Sequence, residues 1–299
     1  PISLISPLTL GKSLGKLVKK EKYDVIIATT DPLIGILGHR LSKKFKIPLV
    51  YELQDNFESY GSYKLPFVKR LDRKALVEAD IVIAVSNSLK KHISEFRKKP
   101  IYAINNGIDA GLFKRISKSI ARKRLKLPLK SKIIAYIGNI DKLRGGKILI
   151  NAFNKVREKY PDACLLLSGK IDKSVNLKQK NIIFRKFPKR EEVVLGINSA
   201  DVAVLPNPAN EFTKYSFPYK LAEYMACNVP IVATDVGDVS LILRKYEGSL
   251  CKPNDSSSLA EKIIAKLEKP KKASYDNDVR KLQWKVLAAK LDRILHSLK

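Results

Sequence analysis

Short runs of aliphatic and β-branched residues alternate with longer amphipathic stretches along the chain, and this alternation constrains the fold more than any other feature. Short apolar runs suit strands that are buried on both faces, whereas the stretches between them have helical spacing. Strands separated by helices are typical of parallel sheets. The sequence therefore predicts an α/β protein with parallel sheets.

The alternation occurs in two series, one on each side of residue 115. In the first, strands are predicted at 24–29, 48–52, 81–85 and 101–104, and helices at 14–20, 33–45, 66–78 and 89–96. In the second, strands are predicted at 132–137, 163–168, 182–184, 202–205, 231–234 and 248–251, and helices at 147–159, 189–199, 218–227, 239–244, 256–267 and 282–297. Asp31 and the serines at 86 and 88 are predicted to cap helices.

A basic stretch at 116–132 separates the two series and suits a connection between domains. A chain of 299 residues can form two cores of ordinary size. We therefore predict domains at 1–115 and 116–299. Open parallel sheets bind ligands beyond the carboxyl ends of their strands, so two such domains facing each other would place a cleft between them.

The charge balance favours anionic partners, because 58 Lys and Arg residues outnumber 29 Asp and Glu residues. The lysines are spread along the chain, and no nucleic-acid-binding motif accompanies them. Nucleic acid is therefore not an expected partner. The basic stretches at 12–22, 66–74 and 115–126 would suit an anionic membrane surface, although a solvated charged face explains them equally well.

The three cysteines, Cys164, Cys227 and Cys251, have neither metal-ligand nor disulfide-framework spacing. This usage predicts a reducing, cytoplasmic setting. No apolar run approaches the roughly 20 residues that a membrane-spanning helix needs.

Segment 210–238 contains the residues best suited to chemistry. A polar loop is predicted to end at Ser216, and Pro218 suits the first turn of a helix. The start of that helix would offer backbone N–H groups and a positive dipole end to a phosphate. Lys220 could add a charge, and Glu223 could accept hydrogen bonds from a ribose diol. The pattern alone favours the other interpretation, an ordinary strand–loop–helix–strand unit in which Lys220 and Glu223 are simply solvated.

The same segment, with FPYKLAEYMA at 217–226 and PIVATDVG at 230–237, resembles the nucleotide-sugar signature of retaining glycosyltransferases. These form group 1, or family 4, of the two-Rossmann-domain (GT-B) superfamily. Further similarities follow the family's order: NNGID at 105–109, YIGN at 136–139, LLSG at 166–169 and the closing helix from Trp284 to Leu295. The resemblance implies two Rossmann-like domains, with the last helix packing back on the N-terminal one.

The resemblance also implies site residues and an activity. Glu223 would hold the donor ribose, and the residues before it, Ser216, Phe217 and Lys220, would bind the diphosphate. The loops after Gly138 and Gly169 would border the phosphate and base subsites. The implied reaction moves a hexose from a nucleoside-diphosphate sugar to a lipid-linked or saccharide acceptor, with retention and without a metal or other cofactor. Polysaccharide biosynthesis and peripheral association with the inner membrane face would follow.

The sequence departs from the family pattern in three places. Tyr215 stands where many members have a second glutamate; a subgroup that lacks it has the Ser-x-Pro-x-Lys-x-x-Glu spacing of residues 216–223. Asn139 and Gly145 stand where members often carry Arg and Lys to neutralise phosphate, so Arg144, Lys142 and Lys170 are substitute candidates. The N-terminal domain is also short and has no Gly-rich loop near its start.

No catalytic residue is assigned by the sequence. Asp55 follows a predicted strand, where the family has an acceptor-side loop, so it could contact the acceptor or the transferred sugar; a capping carboxylate is the other interpretation. The departures leave open a second hypothesis for the whole protein. It would be a degenerate homologue that binds nucleotide sugar, or acts as a scaffold, without turnover.

Overall fold

The computed structural model describes residues 7–172, 175–177, 179–270 and 274–298. The chain divides into two compact units. One comprises the chain up to Asn105 together with the segment from Lys290 onward, and the other runs from Asn106 to Ala289. The division falls after Asn105, whereas the sequence placed it near 115. Residues 106–115 group with the second unit because contacts there hold them: Asn198 Nδ2 donates to the Lys114 carbonyl at 3.1 Å, and Phe113 is buried.

The N-terminal unit is built on one parallel four-stranded sheet in the order β1-β2-β3-β4. Its strands are β1 (Ile26–Ala28), β2 (Leu49–Leu53), β3 (Ile81–Ala84) and β4 (Ile101–Ala103). Its helices are α1 (Pro7–Glu21), α2 (Pro32–Phe45), α3 (Val68–Glu78) and α4 (Asn87–Ser94), with 3-10 turns at Phe57–Ser59 and Gly61–Lys64. The predicted caps are present: Asp31 accepts from the Leu33 N–H at 2.8 Å, and Ser86 from the Leu89 N–H at 2.9 Å.

The last helix of the chain contributes to this sheet's core. Ile294 is buried in a cluster with Val50, Ile81 and Ile83, against which Leu291 also packs. The segment from Lys290 onward therefore shields apolar side chains of β2 and β3 from water, which explains why it belongs to the N-terminal unit.

A buried arginine holds three backbone segments of the N-terminal unit together. Arg97 is 3% exposed, and its guanidinium donates to five carbonyl oxygens. The acceptors belong to Leu76, Val77 (3.1 Å), Ala79 (2.9 Å), Asp80 (3.2 Å) and Pro100 (3.2 Å). Arg97 thus gives a donor to carbonyls at the end of α3 and before β3, and it shares the Pro100 carbonyl with the Val82 N–H. Burial lowers the pKa of this side chain to about 10.

The C-terminal unit contains a parallel six-stranded sheet in the order β10-β9-β8-β5-β6-β7. The strands are β5 (Ile133–Ile137), β6 (Cys164–Ser168), β7 (Ile182–Phe184), β8 (Val202–Leu205), β9 (Ile231–Thr234) and β10 (Leu250–Cys251). The helices are α5 (Lys118–Arg124), α6 (Gly146–Lys159), α7 (Arg190–Asn198), α8 (Glu211–Tyr215), α9 (Tyr219–Ala226), α10 (Gly237–Leu243), α11 (Ser256–Glu268) and α12 (Asp276–Leu282). The final helix, α13 (Trp284–His296), begins in this unit.

The strand order of this sheet reverses at β5, which pairs with β6 on one side and β8 on the other. Loops after β5 and β8 leave the sheet in opposite directions at such a point and open a crevice beyond the carboxyl ends of the strands. The candidate ligand site of this unit is therefore expected there. One face of the sheet is covered by α6 and α11, whose Phe153 and Ile263 are buried against Leu165.

The sequence missed three helices of the C-terminal unit. The predicted connection at 116–132 contains α5, because Arg122 is buried and bonds to Asp201 and to the Ser199 carbonyl. The predicted polar loop before Ser216 contains α8, which Asn210 caps by accepting from the Thr213 N–H at 2.9 Å. The third missed helix is α12. The last helix was predicted from residue 282 and begins at Trp284, because Gln283 between α12 and α13 has an extended backbone. No helix in the described residues is both long and apolar enough to cross a membrane.

Candidate functional site

The loops that follow β5 and β6 interlock at the carboxyl edge of the C-terminal sheet. Gly138 and Gly169 have φ values of +131° and +105°, and the Gly138 N–H donates to the Ser168 carbonyl at 2.8 Å. A side chain at Gly169 would begin 2.4 Å from the Gly138 carbonyl carbon, so only glycine permits this approach. Asn139 Oδ1 accepts from the Lys170 N–H at 2.9 Å. The two loops therefore form one closely bonded surface.

Helix α9 begins beside these loops, and Pro218 is its N-cap residue. Ser216 is half-buried, and its hydroxyl lies 3.4 Å from the Thr213 carbonyl. The Phe217 side chain is buried in the core, and its carbonyl accepts from Asn106 Nδ2 at 2.7 Å. Phe217 can therefore meet a ligand only through its backbone N–H. The first N–H groups of α9 point out of the helix without an intrahelical acceptor, as at any helix start.

The ammonium group of Lys220 lies over the Gly138 loop. Its Nζ is 5.3 Å from the centre of the Tyr136 ring, and a Cβ on Gly138 would lie 2.2 Å from its Cε. Glycine at 138 thus leaves the space that the lysine occupies. Burial, together with the nearby charge of Arg144, lowers the pKa of Lys220 to about 8. Within the described residues its ammonium group has no hydrogen bond or ion pair.

Glu223 lies one turn further along α9, on the same side of the helix as Lys220. It is half-buried, and burial raises the pKa of its carboxyl against the opposing effects of Lys220 and Arg190. In the part of the chain that the structure describes, its carboxylate accepts no hydrogen bond and forms no ion pair. A partly desolvated carboxylate and ammonium without direct partners are costly for a folded protein, and such costs concentrate at ligand sites.

Arg144 is held at the edge of this surface. It forms an ion pair with Asp141, and its guanidinium lies 4.9 Å from the centre of the Phe212 ring. Lys170 contributes its backbone to the loop contact described above. The structure therefore places Gly138, Asn139, Gly169 and Lys170 on one surface, with Lys220 over it. Tyr136 was not among the predicted site residues; its ring lies below Lys220, and its hydroxyl donates to the Asn139 carbonyl at 2.7 Å.

The two positions where the sequence lacks the family's cations are fixed by the geometry of the loop. The Asn139 side chain is engaged with the Lys170 backbone. Gly145 has φ +83°, and a Cβ there would lie 1.9 Å from the Pro206 carbonyl oxygen. A lysine at 145 would require the β8 loop or the start of α6 to move. The backbone conformation and contacts of the loop therefore require asparagine-like bonding at 139 and glycine at 145.

Replacing Gly145 by alanine is therefore expected to destabilise the C-terminal unit by at least about 2 kcal/mol, because both positive φ and steric overlap oppose it. Urea denaturation followed by circular dichroism measures the loss. Gly61→Ala is the matched control, since a Cβ at Gly61 meets nothing within 4 Å. Equal stability of the two variants would contradict the packing argument.

Asp55 lies in the N-terminal unit, at a bend that follows β2, and it is half-buried. Together with burial, its charge raises the pKa of Tyr60. The donor-site candidates all lie in the other unit. Among the residues that the structure describes, no group of three or more His, Cys, Asp or Glu side chains could hold a metal ion.

Comparisons with known proteins identify the family and the fold. The family model described as Glycosyl transferases group 1 matches residues 117–281, more than half of the chain, and the model described as Glycosyltransferase Family 4 matches residues 3–112. The sucrose-phosphate synthase of Thermosynechococcus elongatus has a TM-score of 0.80 at 21% identity, covering 97% of this chain and 77% of that one. Anabaena HepE in complex with UDP has a TM-score of 0.81 at 19% identity, covering 96% and 82%. The predicted two-Rossmann-domain (GT-B) fold is thus confirmed.

Three curated relatives illustrate the range of similar proteins. A putative teichuronic acid biosynthesis glycosyltransferase, TuaC of Bacillus subtilis, is 28% identical over 75% of this chain and 56% of its own length. N-acetyl-alpha-D-glucosaminyl L-malate synthase of Bacillus anthracis is 27% identical over 87% and 70%. Phosphatidyl-myo-inositol mannosyltransferase of Mycobacterium leprae is 28% identical over 72% and 59%. The chain thus spans 56% to 70% of the length of these relatives. With the family match over more than half of its residues, the chain belongs to the group 1 glycosyltransferases.

Proposed function

We propose that this protein transfers a hexose from a nucleoside-diphosphate sugar to a saccharide or lipid-linked acceptor, with retention of configuration and without a metal ion. The observation that carries the proposal is the pair formed by Lys220 and Glu223, two half-buried charges on one side of α9 that have no direct partner among the described residues. Nucleotide donors supply the complementary groups, because a diphosphate is anionic and a ribose diol donates hydrogen bonds.

Each candidate residue has a distinct role in this proposal. Backbone N–H groups from Phe217 to Lys220 would contact the diphosphate at the start of α9, aided by the helix dipole. Lys220 and Arg144 would supply the positive charge that stabilises the departing diphosphate. Glu223 would accept hydrogen bonds from the ribose. The surface around Gly138 and Gly169 would let the donor approach the backbone closely.

Relatives support the choice of ligand class. HepE has been crystallised with UDP and with UDP-glucose. The Bacillus subtilis relative is named for teichuronic acid biosynthesis, and the Mycobacterium leprae relative is named as a phosphatidyl-myo-inositol mannosyltransferase. We therefore extend the proposal to polysaccharide or glycolipid biosynthesis at the cytoplasmic membrane face. The basic stretches at 12–22, 66–74 and 115–126 would face the anionic lipid, and Asp55 is the candidate acceptor-side carboxylate.

Calorimetric titration with UDP, GDP, ADP and their glucose or mannose conjugates tests the donor site. We expect selective binding of one nucleotide by the wild type. No binding of any of these nucleotides would contradict the donor-site proposal for this chain. Transfer to an acceptor, measured with the selected conjugate, then separates an enzyme from the second candidate, a nucleotide-sugar-binding protein without turnover. The second candidate is favoured by Asn139 and Gly145, which leave two usual cation positions without charge.

The lowered pKa of Lys220 predicts a pH dependence of nucleotide binding. A diphosphate favours the charged ammonium, so the affinity should be constant below about pH 7 and fall as the pH rises through the free-state pKa of about 8. At high pH the neutral Lys220 no longer makes its charge-assisted contact, so the Kd for the nucleotide should be roughly tenfold higher or more. Calorimetry at pH 6.5 to 9.5 measures this effect.

The Lys220→Arg variant is the control for this prediction, because its guanidinium stays charged across the range. Its nucleotide affinity should change little with pH, whatever its absolute value. A wild-type affinity that is flat from pH 7 to 9.5, or a variant that retains the full pH dependence, would show that another group titrates.

A further inference from the structure

A second cavity lies at the opposite edge of the C-terminal sheet from the candidate donor site. Its volume is about 610 Å³, and its lining residues include Lys132, Asp201 and Pro230. These residues come directly before β5, β8 and β9, so the cavity lies at the amino ends of the strands. The donor-site candidates follow β5 and β6 at the carboxyl ends. The proposed transfer reaction makes no use of this cavity.

Four basic side chains line the cavity: Arg115, Lys118, Lys132 and Lys266. Two of them have local roles, because Lys118 forms an ion pair with Asp201 and Lys266 donates to the Glu247 carbonyl at 2.7 Å. Within the described residues, the head groups of Arg115 and Lys132 make no hydrogen bond or ion pair. The cavity therefore has cationic groups available for a ligand.

Asp201, the one carboxylate among the described lining residues, does not offset this charge. Asp201 already accepts from Arg122 at 2.7 Å, from the Ile133 N–H at 2.7 Å and from Lys118. With Arg122 on one side and Lys118 on the other, its charge is neutralised within the protein. Arg115 and Lys132 remain as positive groups without a carboxylate partner among the described residues, which favours an anion over a neutral or cationic ligand.

The remaining wall is mostly apolar and is formed by Cys227, Val229, Pro230 and Leu267. An apolar wall of this kind suits the carbon face of an organic ring, whereas a bare surface anion site needs none. The polar lining side chains of Asn198 and Asn228 are engaged with the protein itself. The basic side chains suit an anionic group of a ligand, and the apolar residues suit its carbon skeleton.

We propose that this cavity binds a small metabolite through its phosphomonoester group, with Arg115 and Lys132 contacting the phosphate and the organic part lying on the wall formed by Cys227 and Val229. The site is separate from the donor site and does not depend on the proposed transfer activity.

Titration calorimetry of the full chain with glucose 6-phosphate and with inorganic phosphate tests the proposal, with glucose and with sodium chloride at matched ionic strength as blanks. We expect one saturable site for glucose 6-phosphate that inorganic phosphate displaces and glucose does not. Tighter binding of the sugar phosphate would identify an organic phosphomonoester as the ligand. Equal affinity for the two probes would show that the phosphate group alone accounts for binding, and it would overturn the role given to the apolar wall. No saturable binding of either probe would overturn the proposal.

The Arg115→Gln/Lys132→Gln double variant should weaken this binding at least tenfold. The matched control is Lys123→Gln/Lys130→Gln, which removes the same charge from exposed residues of the same segment that do not line the cavity. An equal loss in both double variants would overturn the proposal, because it would show non-specific attraction to a basic surface. Glu223→Ala should leave the affinity for glucose 6-phosphate unchanged. If this variant loses that binding, the probe binds in the donor site and the proposal is overturned.

Hydrogen exchange on the wild type provides a test that needs no variant to fold. Glucose 6-phosphate should slow exchange at 115–118 and 227–230, which line the cavity. Slowed exchange confined to 216–223 would instead assign the probe to the donor site and overturn the proposal.

Discussion

Replacing Glu223 by alanine is expected to weaken nucleotide binding about 100-fold while leaving the fold intact. A carboxylate that accepts two hydrogen bonds from a ribose diol contributes roughly 3 kcal/mol to binding, since hydrogen bonds to charged groups are worth about 1.5 kcal/mol or more each. Calorimetric titration of the wild type and the variant with the selected nucleotide measures the change.

Glu211→Ala is the control for this experiment, because Glu211 is the carboxylate that precedes Glu223 in the segment. Its side chain is exposed and lies 3.8 Å from Lys214, so its loss should change the nucleotide Kd by less than about twofold. A Glu223→Ala variant that binds as the wild type does would remove Glu223 from the site. Weaker binding by Glu211→Ala alone would transfer the ribose-binding role to that residue.

Glu223→Ala should also leave the free energy of unfolding unchanged or slightly raised. The carboxylate is half-buried and has no hydrogen-bonding partner within the described residues, so its removal relieves a desolvation cost without breaking a contact. A loss of binding without a loss of stability would distinguish a ligand-binding residue from a structural one. A strong loss of stability would support the structural interpretation.

Replacing Arg97 by alanine is expected to cost about 4 kcal/mol of the free energy of unfolding of the N-terminal unit. The change removes the guanidinium donor from the carbonyls of Leu76, Val77, Ala79 and Asp80 and opens a cavity where the side chain was buried. The Pro100 carbonyl keeps the Val82 N–H as a donor. Each buried group that loses its partner costs about 1–3 kcal/mol, and water that enters the cavity recovers part of the sum.

Urea denaturation followed by circular dichroism measures this loss, and hydrogen exchange at the β3 amides locates it in the N-terminal unit. Arg97→Lys should recover only part of the stability, because an ammonium group has three donors and lacks the planar geometry of guanidinium. Arg73→Ala is the matched control; that guanidinium is exposed and lies 4.1 Å from the centre of the Phe96 ring, so its loss should cost less than about 1 kcal/mol. Similar losses at both arginines would contradict the role given to Arg97.

The strands could be predicted from the sequence because each is a short apolar run bounded by polar residues. The strands at 182–184, 202–205 and 231–234 were predicted with the bounds that the structure gives. Parallel strands that are buried on both faces are apolar at nearly every residue, so they can be recognised without knowing which strands or helices pack against them. The sequence motif around Glu223 likewise indicated the family, which the comparisons confirm.

The short helices could not be predicted, because tertiary contacts stabilise them. Helix α5 has basic residues through most of its length, and only the bonds of Arg122 to Asp201 and to the Ser199 carbonyl show why it forms. These partners lie more than 70 residues away in the sequence. Segments this short are marginal as isolated helices, so local propensity carries little information about them.

The α/β class, the order of the strands along the chain and the choice of residues that we propose to meet a nucleotide could be read from the sequence, because they depend on local pattern and residue type. The strand order within each sheet, the division after Asn105 and the positions of Lys220 and Glu223 were decided by tertiary structure. The reason is physical: the lowered pKa of Lys220 and the raised pKa of Glu223 come from burial, and burial depends on loops such as that of Gly138, which are distant in the sequence and meet only in the folded chain.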